Sequence, residues 1–263
     1  MGSATREALA RSVSALAGLG SKADLATAED LFAAGRVVAD SAQLRAVLSD
    51  PSADPAGKTA LVQRVFGSLS APAVELLVSV ASGRWSGQDD LQDAIEELGI
   101  RSIAASAPRN LDIAAELLAF GGAVTSDAQL ELALRSKLGA PEAKAALAER
   151  LLAGKASAQT IAIVRQLVLQ PRGRSIRESL RAAARIVAAQ DGQTIATIVT
   201  ARPLPAAQLE RLRAGLAAKY GDLKLNTIVD PAIVGGLRVQ IGDDVIDGSI
   251  ASRLNDLRLQ LAG

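Results

Sequence analysis

The sequence predicts a mainly helical protein that ends in a small α/β domain, and three observations carry this. Alanine and leucine dominate a chain that is 49% hydrophobic but only 2% aromatic, a composition that packs helices through small residues. Apolar residues recur at three- and four-residue spacing over most of the chain. After Gln190-Asp191-Gly192 the period falls to two, as in strands. With 263 residues there is enough chain for one large core or two to three small ones.

From Thr5 to Ala105 the helical period is kept by residues such as Leu9, Val13 and Leu16, or Leu61, Val62, Val65 and Phe66. Breaks at Gly18 to Gly20, at Asp50-Pro51 to Pro55, around Pro72 and at Ser82-Gly83 divide this stretch into five or six short helices. A compact six-helix type of bundle buries all their faces.

A shift of 86 residues exposes an internal repeat. SAQLRAVLSDPSADPAGKTALVQRVF from Ser41 overlays DAQLELALRSKLGAPEAKAALAERLL from Asp127 without a gap. Ala42, Gln43, Leu44, Leu48, Pro55, Lys58, Ala60, Leu61 and Arg64 match their counterparts, and the same shift aligns Leu25 with Leu111 and Gly35 with Gly121. The unit is too long and too few-copied for an ordinary solenoid, so a second helical bundle is expected. The helix near 88–105 closes the first copy and opens the second. The expected domains are residues 1–106, 107–191 and 192–263.

In the last domain QTIATIVT (193–200) reads as a strand, and PAAQLERLRAGLAAKY (205–220) as a helix with Leu209, Leu212 and Leu216 on one face. LKLNTIVD alternates Leu223, Leu225, Thr227 and Val229 against Lys224 and Asn226. IVGGLRVQIG follows, with Leu237, Val239 and Ile241 inward, and Gly242-Asp243-Asp244 turns it into a short VIDG segment. Ile250, Leu254, Leu257 and Leu261 line a closing helix that covers the mixed sheet.

Several function classes are excluded by residue types. The chain has no cysteine and no histidine, which removes disulfides, thiolate nucleophiles, imidazole bases and the usual zinc ligands. A net charge of +1 and aromatics that do not alternate with a basic stripe speak against nucleic acid. The Met-Gly start lacks the regions of a signal peptide, and no apolar run approaches ~18 residues, so membrane insertion is not expected.

Motif-like stretches fare no better as ligand sites. Gly57-Lys58-Thr59 resembles the end of a phosphate-binding loop, but Ser52 stands where its leading glycine belongs and no strand precedes it. Asp243, Asp247 and Gly248 fall in calcium-loop positions, but Val245 and Leu254 occupy positions that must coordinate. No catalytic, metal or cofactor residues are assigned. Gly235-Gly236 is read as a close backbone approach or bulge, and Asp247 or Ser249 as the cap of the last helix. Arg174, Arg177, Arg181 and Arg185 recur along one helical face, with Arg165 and Arg172 just before. A solvated face is the ordinary reading, and an acidic protein or a lipid surface the other.

The segment LKLNTIVDPAIVGGLRVQIGDDVIDGSIASRLNDLRLQL, residues 223–261, resembles the end of the delta subunit of F-type ATP synthase, the counterpart of the mitochondrial oligomycin sensitivity conferral protein. The matching residues are Val229-Asp230, Gly235-Gly236, Arg238, Gly242-Asp243, the run Val245-Ile246-Asp247-Gly248-Ser249, and Arg253-Leu254. A Gly-Arg step late in a six-helix domain, like Gly83-Arg84 or Gly173-Arg174, extends the resemblance upstream. The resemblance implies a non-catalytic stator subunit at the cytoplasmic face of a bacterial cell membrane. Its helical domain would bind alpha-subunit N-termini and its C-terminal domain the b subunits, as a monomer within the complex. Leu9, Val13, Leu76, Leu77 and Val80 are then groove candidates, with bundle core as the plain reading, and Arg174, Arg177 and Arg181 further partner-binding candidates. The competing reading is a free-standing helical adaptor with a borrowed C-terminal domain.

Overall fold

The computed structural model describes residues 2–136 and 139–250. Among them are twelve α-helices and one four-stranded sheet, in two compact units, the first ending at Val187 and the second beginning at Ala188.

The first unit contains α1 (Ser3–Leu19), α2 (Leu25–Asp40), α3 (Ala42–Ser49), α4 (Pro55–Phe66), α5 (Ala71–Ala81) and α6 (Gln88–Ser106). It continues with α7 (Ile113–Ser126), α8 (Ala128–Arg135), α9 (Pro141–Leu152), α10 (Ala158–Leu169) and α11 (Ile176–Gln190), whose last turn crosses into the second unit. Short polar side chains set many of the starts. Asp24, Ser41, Asp54, Asp112, Asp127 and Ser157 each accept a backbone N–H of the turn that follows. Ser175 and Glu178 satisfy each other reciprocally ahead of α11, a capping box. Pro72, expected near a break, lies inside the first turn of α5, where a missing N–H costs nothing.

Small residues let the helices close up. A Cβ at Gly99 of α6 would lie 2.4 Å from the ring of Phe32 on α2, so these two helices meet at a distance only glycine permits. Leu31 of α2, Leu76 of α5 and Leu91 and Leu98 of α6 belong to one buried core cluster.

Helices α2 to α5 are 16, 8, 12 and 11 residues long, and α7 to α10 are 14, 8, 12 and 12. Contacts correspond as well as lengths. Asp30 accepts the N–H of Ser70 ahead of α5, and Glu116, 86 positions later, accepts that of Ser157 ahead of α10. Lys58 donates to the Leu48 carbonyl at the end of α3, and Lys144 to the Ser136 carbonyl at the end of α8. Gly35 faces Ile95 of α6, and Gly121 faces Leu180 of α11.

The second unit holds β1 (Thr194–Thr200), α12 (Ala206–Tyr220), β2 (Leu223–Val229), β3 (Leu237–Ile241) and β4 (Asp244–Asp247), with sheet order β2-β1-β3-β4. β1 and β2 are parallel, so α12 makes the crossover between them, while β3 runs antiparallel to β1 and β4 to β3. Leu209, Leu212 and Leu216 of α12 pack on Ala196, Ile198, Leu223, Val239 and Ile241, as the alternation predicts, but Thr227 and Val229, in the same alternation on β2, are exposed because the core ends before that end of the strand. Arg253, Leu254, Leu257 and Leu261 lie outside the described residues.

Candidate functional site

A subunit that works by contact must be read through its surfaces. Of the five groove candidates, Leu76, Leu77 and Val80 are 0%, 3% and 1% exposed, buried in the core between α5 and its neighbours. They are core residues and present no surface to a partner, because an α5 face that satisfies the helical period is already covered by the bundle. Leu9 and Val13 of α1 are partly buried at the edge of that core. Beside them α1 and α5 meet through a polar contact, Ser79 Oγ donating to Ser12 Oγ at 3.2 Å.

A hollow that sequence patterns did not single out lies between α4 and α5. It has a volume of about 540 Å³ and is lined by Gly67, Leu69, Val74, Glu75 and Val78 among others. The exposed Val65 lies on α4, two residues before Gly67. Its one sequence signal is the valine spacing of α5, which continues past the residues the core needs.

The arginine series divides in two. Arg174 precedes α11 and does not share its face. Gly173 has φ +77° and Arg172 φ +51°, and this tight loop turns both arginines toward α6. Arg174 Nη2 donates to Glu96 Oε1 at 2.6 Å, with the Glu96 side chain only 7% exposed. Arg172 pairs with Asp93 at 2.9 Å and donates to the Asp89 carbonyl at 3.0 Å. Nearby, Arg36 of α2 donates to Gln166 of α10 at 2.5 Å, and Gln170 reaches the Gly35 carbonyl at 3.4 Å. These bonds form a polar seam between α2 and α6 on one side and the α10–α11 segment on the other. Arg177, Arg181 and Arg185 are exposed and form no ion pair among the described residues.

The glycine and aspartate stretch near the C-terminus is built as a turn and a close approach. Gly236 has φ +80°, and a Cβ there would lie 2.4 Å from the Gly248 carbonyl oxygen. The backbones meet through Gly248 N–H to Leu237 O at 2.9 Å and Ile250 N–H to Gly235 O at 3.0 Å. Gly242, at φ +57°, and Asp243 make the two-residue turn between β3 and β4. Asp247 accepts the Ser249 N–H at 2.9 Å and, from the next strand, Arg238 Nη2 at 2.9 Å. The Ser249 bonds and then Arg238 pull the Asp247 carboxyl down to about 2.

Lys58, in the Gly-Lys-Thr stretch, is 4% exposed and donates to the Leu48 carbonyl at 2.9 Å, while the Gly57 N–H is taken by the Asp54 cap. The lysine therefore clasps the turn between α3 and α4 and has no free ammonium for a phosphate. Among the described residues no cluster of His, Cys, Asp and Glu is arranged to hold a metal ion. No helix among them is long and apolar enough to cross a membrane.

The model of the ATP synthase delta (OSCP) subunit family matches residues 101–261, and a curated protein from Leifsonia xyli subsp. xyli, ATP synthase subunit delta, is 82% identical over the whole of both chains. The chain belongs to the ATP synthase delta (OSCP) subunit family. Delta subunits of Pseudarthrobacter chlorophenolicus and Streptomyces avermitilis are each 39% identical, the first over all of both chains, the second over 89% of this chain and 88% of its own. Among solved structures, a chain of the Toxoplasma gondii mitochondrial ATP synthase hexamer covers 64% of this chain and 96% of itself, at 21% identity and a TM-score of 0.39. As a member of the delta family, the protein is a non-catalytic stator subunit of ATP synthase. Delta subunits that match over the whole of both chains support the stator role and not the free-standing adaptor.

Proposed function

We propose that this delta subunit joins the alpha-subunit N-termini of the catalytic head, through its helical unit, to the b subunits of the peripheral stalk, through its α/β unit. The joint lies at the cytoplasmic face of the cell membrane. The observation that supports this reading is the division of one chain into two compact units of different architecture. A stator must keep the head from turning with the rotor, so that proton flow does work on the catalytic sites. Such a joint needs slow dissociation, and nanomolar affinity corresponds to about 12 kcal/mol. Several apolar anchors are required. Leu9 and Val13 on α1 are offered as two of them, with the hollow between α4 and α5 as a second receptor for an apolar side chain.

We also infer that residues 1–106 and 107–191 are copies of one helical unit that share α6. The paired contacts of Asp30 and Glu116, Lys58 and Lys144, and Gly35 and Gly121 support this.

Pull-downs test the assignment of ends. Removing residues 192–263 is expected to abolish binding to b and leave alpha binding intact. The reverse loss would refute it.

A further inference from the structure

We infer that the Arg177, Arg181 and Arg185 face of α11 docks a carboxylate-bearing helical segment of another ATP synthase subunit. The inference rests on the proposed relation between α6 and α11 as corresponding helices of two copies.

On α6, the residues buried in the first bundle include Leu91 and Ile95, and the residues one step further on are Gln92 and Glu96. One step along a helix turns the side chain by about 100°, so Gln92 and Glu96 form a flank beside the core stripe. Both are buried, at 7% and 6% exposure, although one is an amide and the other a carboxylate. What accompanies that burial is the seam, with Arg174 on Glu96 and Arg172 on Asp93.

On α11 the core stripe is Leu180, Ala183, Ala184 and Val187. One step beyond Leu180 and Ala184 stand Arg181 and Arg185, and Arg177 lies one turn earlier on the same flank. The flank that α6 fills with Gln92 and Glu96 and buries, with Arg174 on Glu96, is thus filled on α11 with arginines and left exposed. Among the described residues, Glu178 is a carboxylate beside Arg177 and Arg181, and it is engaged by Ser175 at the helix start. In the seam, the Arg172 and Arg174 guanidiniums are each matched to a carboxylate of α6, Asp93 and Glu96. By charge complementarity the open flank suits carboxylates at helical spacing, which guanidinium forks hold bidentately. A protein helix is favoured over a lipid surface because the flank carries three cations with no large apolar side chain fully exposed beside them to enter a bilayer.

The test uses the full-length chain carrying Arg177→Glu, Arg181→Glu and Arg185→Glu together, titrated against purified ATP synthase stripped of this subunit. Binding is expected to weaken at least about tenfold relative to wild type, and wild-type affinity to fall steeply with added salt while that of the variant changes little. A second variant with glutamine at the three positions is expected to give an intermediate loss, and wild-type circular dichroism in both variants separates lost docking from lost folding. Unchanged affinity and salt response would overturn the inference. So would wild-type binding to vesicles containing anionic lipid that charge reversal abolishes while subunit binding stands. Thermal unfolding of Arg174→Ala tests the seam on its own. A lowered Tm with unchanged binding of the triple variants keeps the seam and refutes the docking face, whereas an unchanged Tm removes the α6 comparison and the ground for the inference with it.

Discussion

Glu116 on α7 accepts the backbone N–H of Ser157 at 3.0 Å and its hydroxyl at 2.7 Å, tying two helices together across 41 residues of chain. Burial alone would raise the Glu116 carboxyl, but the bonds from Thr160 and Ser157 outweigh it and hold the group below its ordinary 4.5. Glu116→Ala is expected to cost about 1–3 kcal/mol in urea unfolding, the scale of hydrogen bonds to a charged group. A carboxyl lowered by folding contributes stability that is complete above its unfolded value and lost as pH falls through its folded one. Wild-type stability should therefore decline below pH 4.5 by more than that of Glu116→Gln.

Lys58 presents a contrasting case. Its ammonium is buried on the Leu48 carbonyl, and burial lowers its pKa despite the nearby Asp50. Lys58→Met should destabilise the chain by about 1–2 kcal/mol by stranding that carbonyl. Added ATP should leave the melting temperature of the wild type unchanged, since a site that bound nucleotide would raise it. A clear upward shift would restore the phosphate-loop reading.

Asp247 titrates as an exposed group held down by defined donors. Its carboxyl should show a midpoint of about 2 by NMR. Arg238→Ala should move that midpoint part of the way to 3.8, because the Ser249 bonds, the larger cause, remain. Whatever stability the ion pair adds is present above the unfolded value and disappears as pH falls from about 4 to about 2.

Two glycines are predicted to tolerate no side chain. Gly99→Ala places a methyl into the Phe32 ring and should cost about 1–3 kcal/mol in chemical unfolding, as overpacked cores do. Gly236→Ala adds a positive φ to a collision with backbone, which cannot rotate away, and should cost at least as much, about 1–3 kcal/mol or more. Gly122 on α7 has open space around its Cβ position and ordinary helical φ, so Gly122→Ala should be neutral or stabilising by up to about 1 kcal/mol.

Much of the fold was legible in the chain because its causes are local. The change of period after Gln190, the inward alternation of Leu223 and Leu225, and the Gly242-Asp243 turn each express backbone preferences of a few neighbouring residues. The shift of 86 residues was also visible, and it pairs Asp30 with Glu116 and Lys58 with Lys144, side chains that make similar contacts. The partner surfaces were much less legible. Leu76, Leu77 and Val80 have the spacing of a groove and of a core alike, and nothing in that spacing says which helix covers them. Arg174 and Arg177 are three positions apart in a uniform-looking arginine series, yet one is held on Glu96 and the other is exposed.

The sequence by itself determined the order of the elements, the terminal turn motif and the family, all of which depend on short-range conformational preference or on identity. Only the tertiary structure decided which apolar face is interior, which arginines are already matched, and that Lys58 serves a turn, because burial and pairing belong to contacts between residues far apart in the chain.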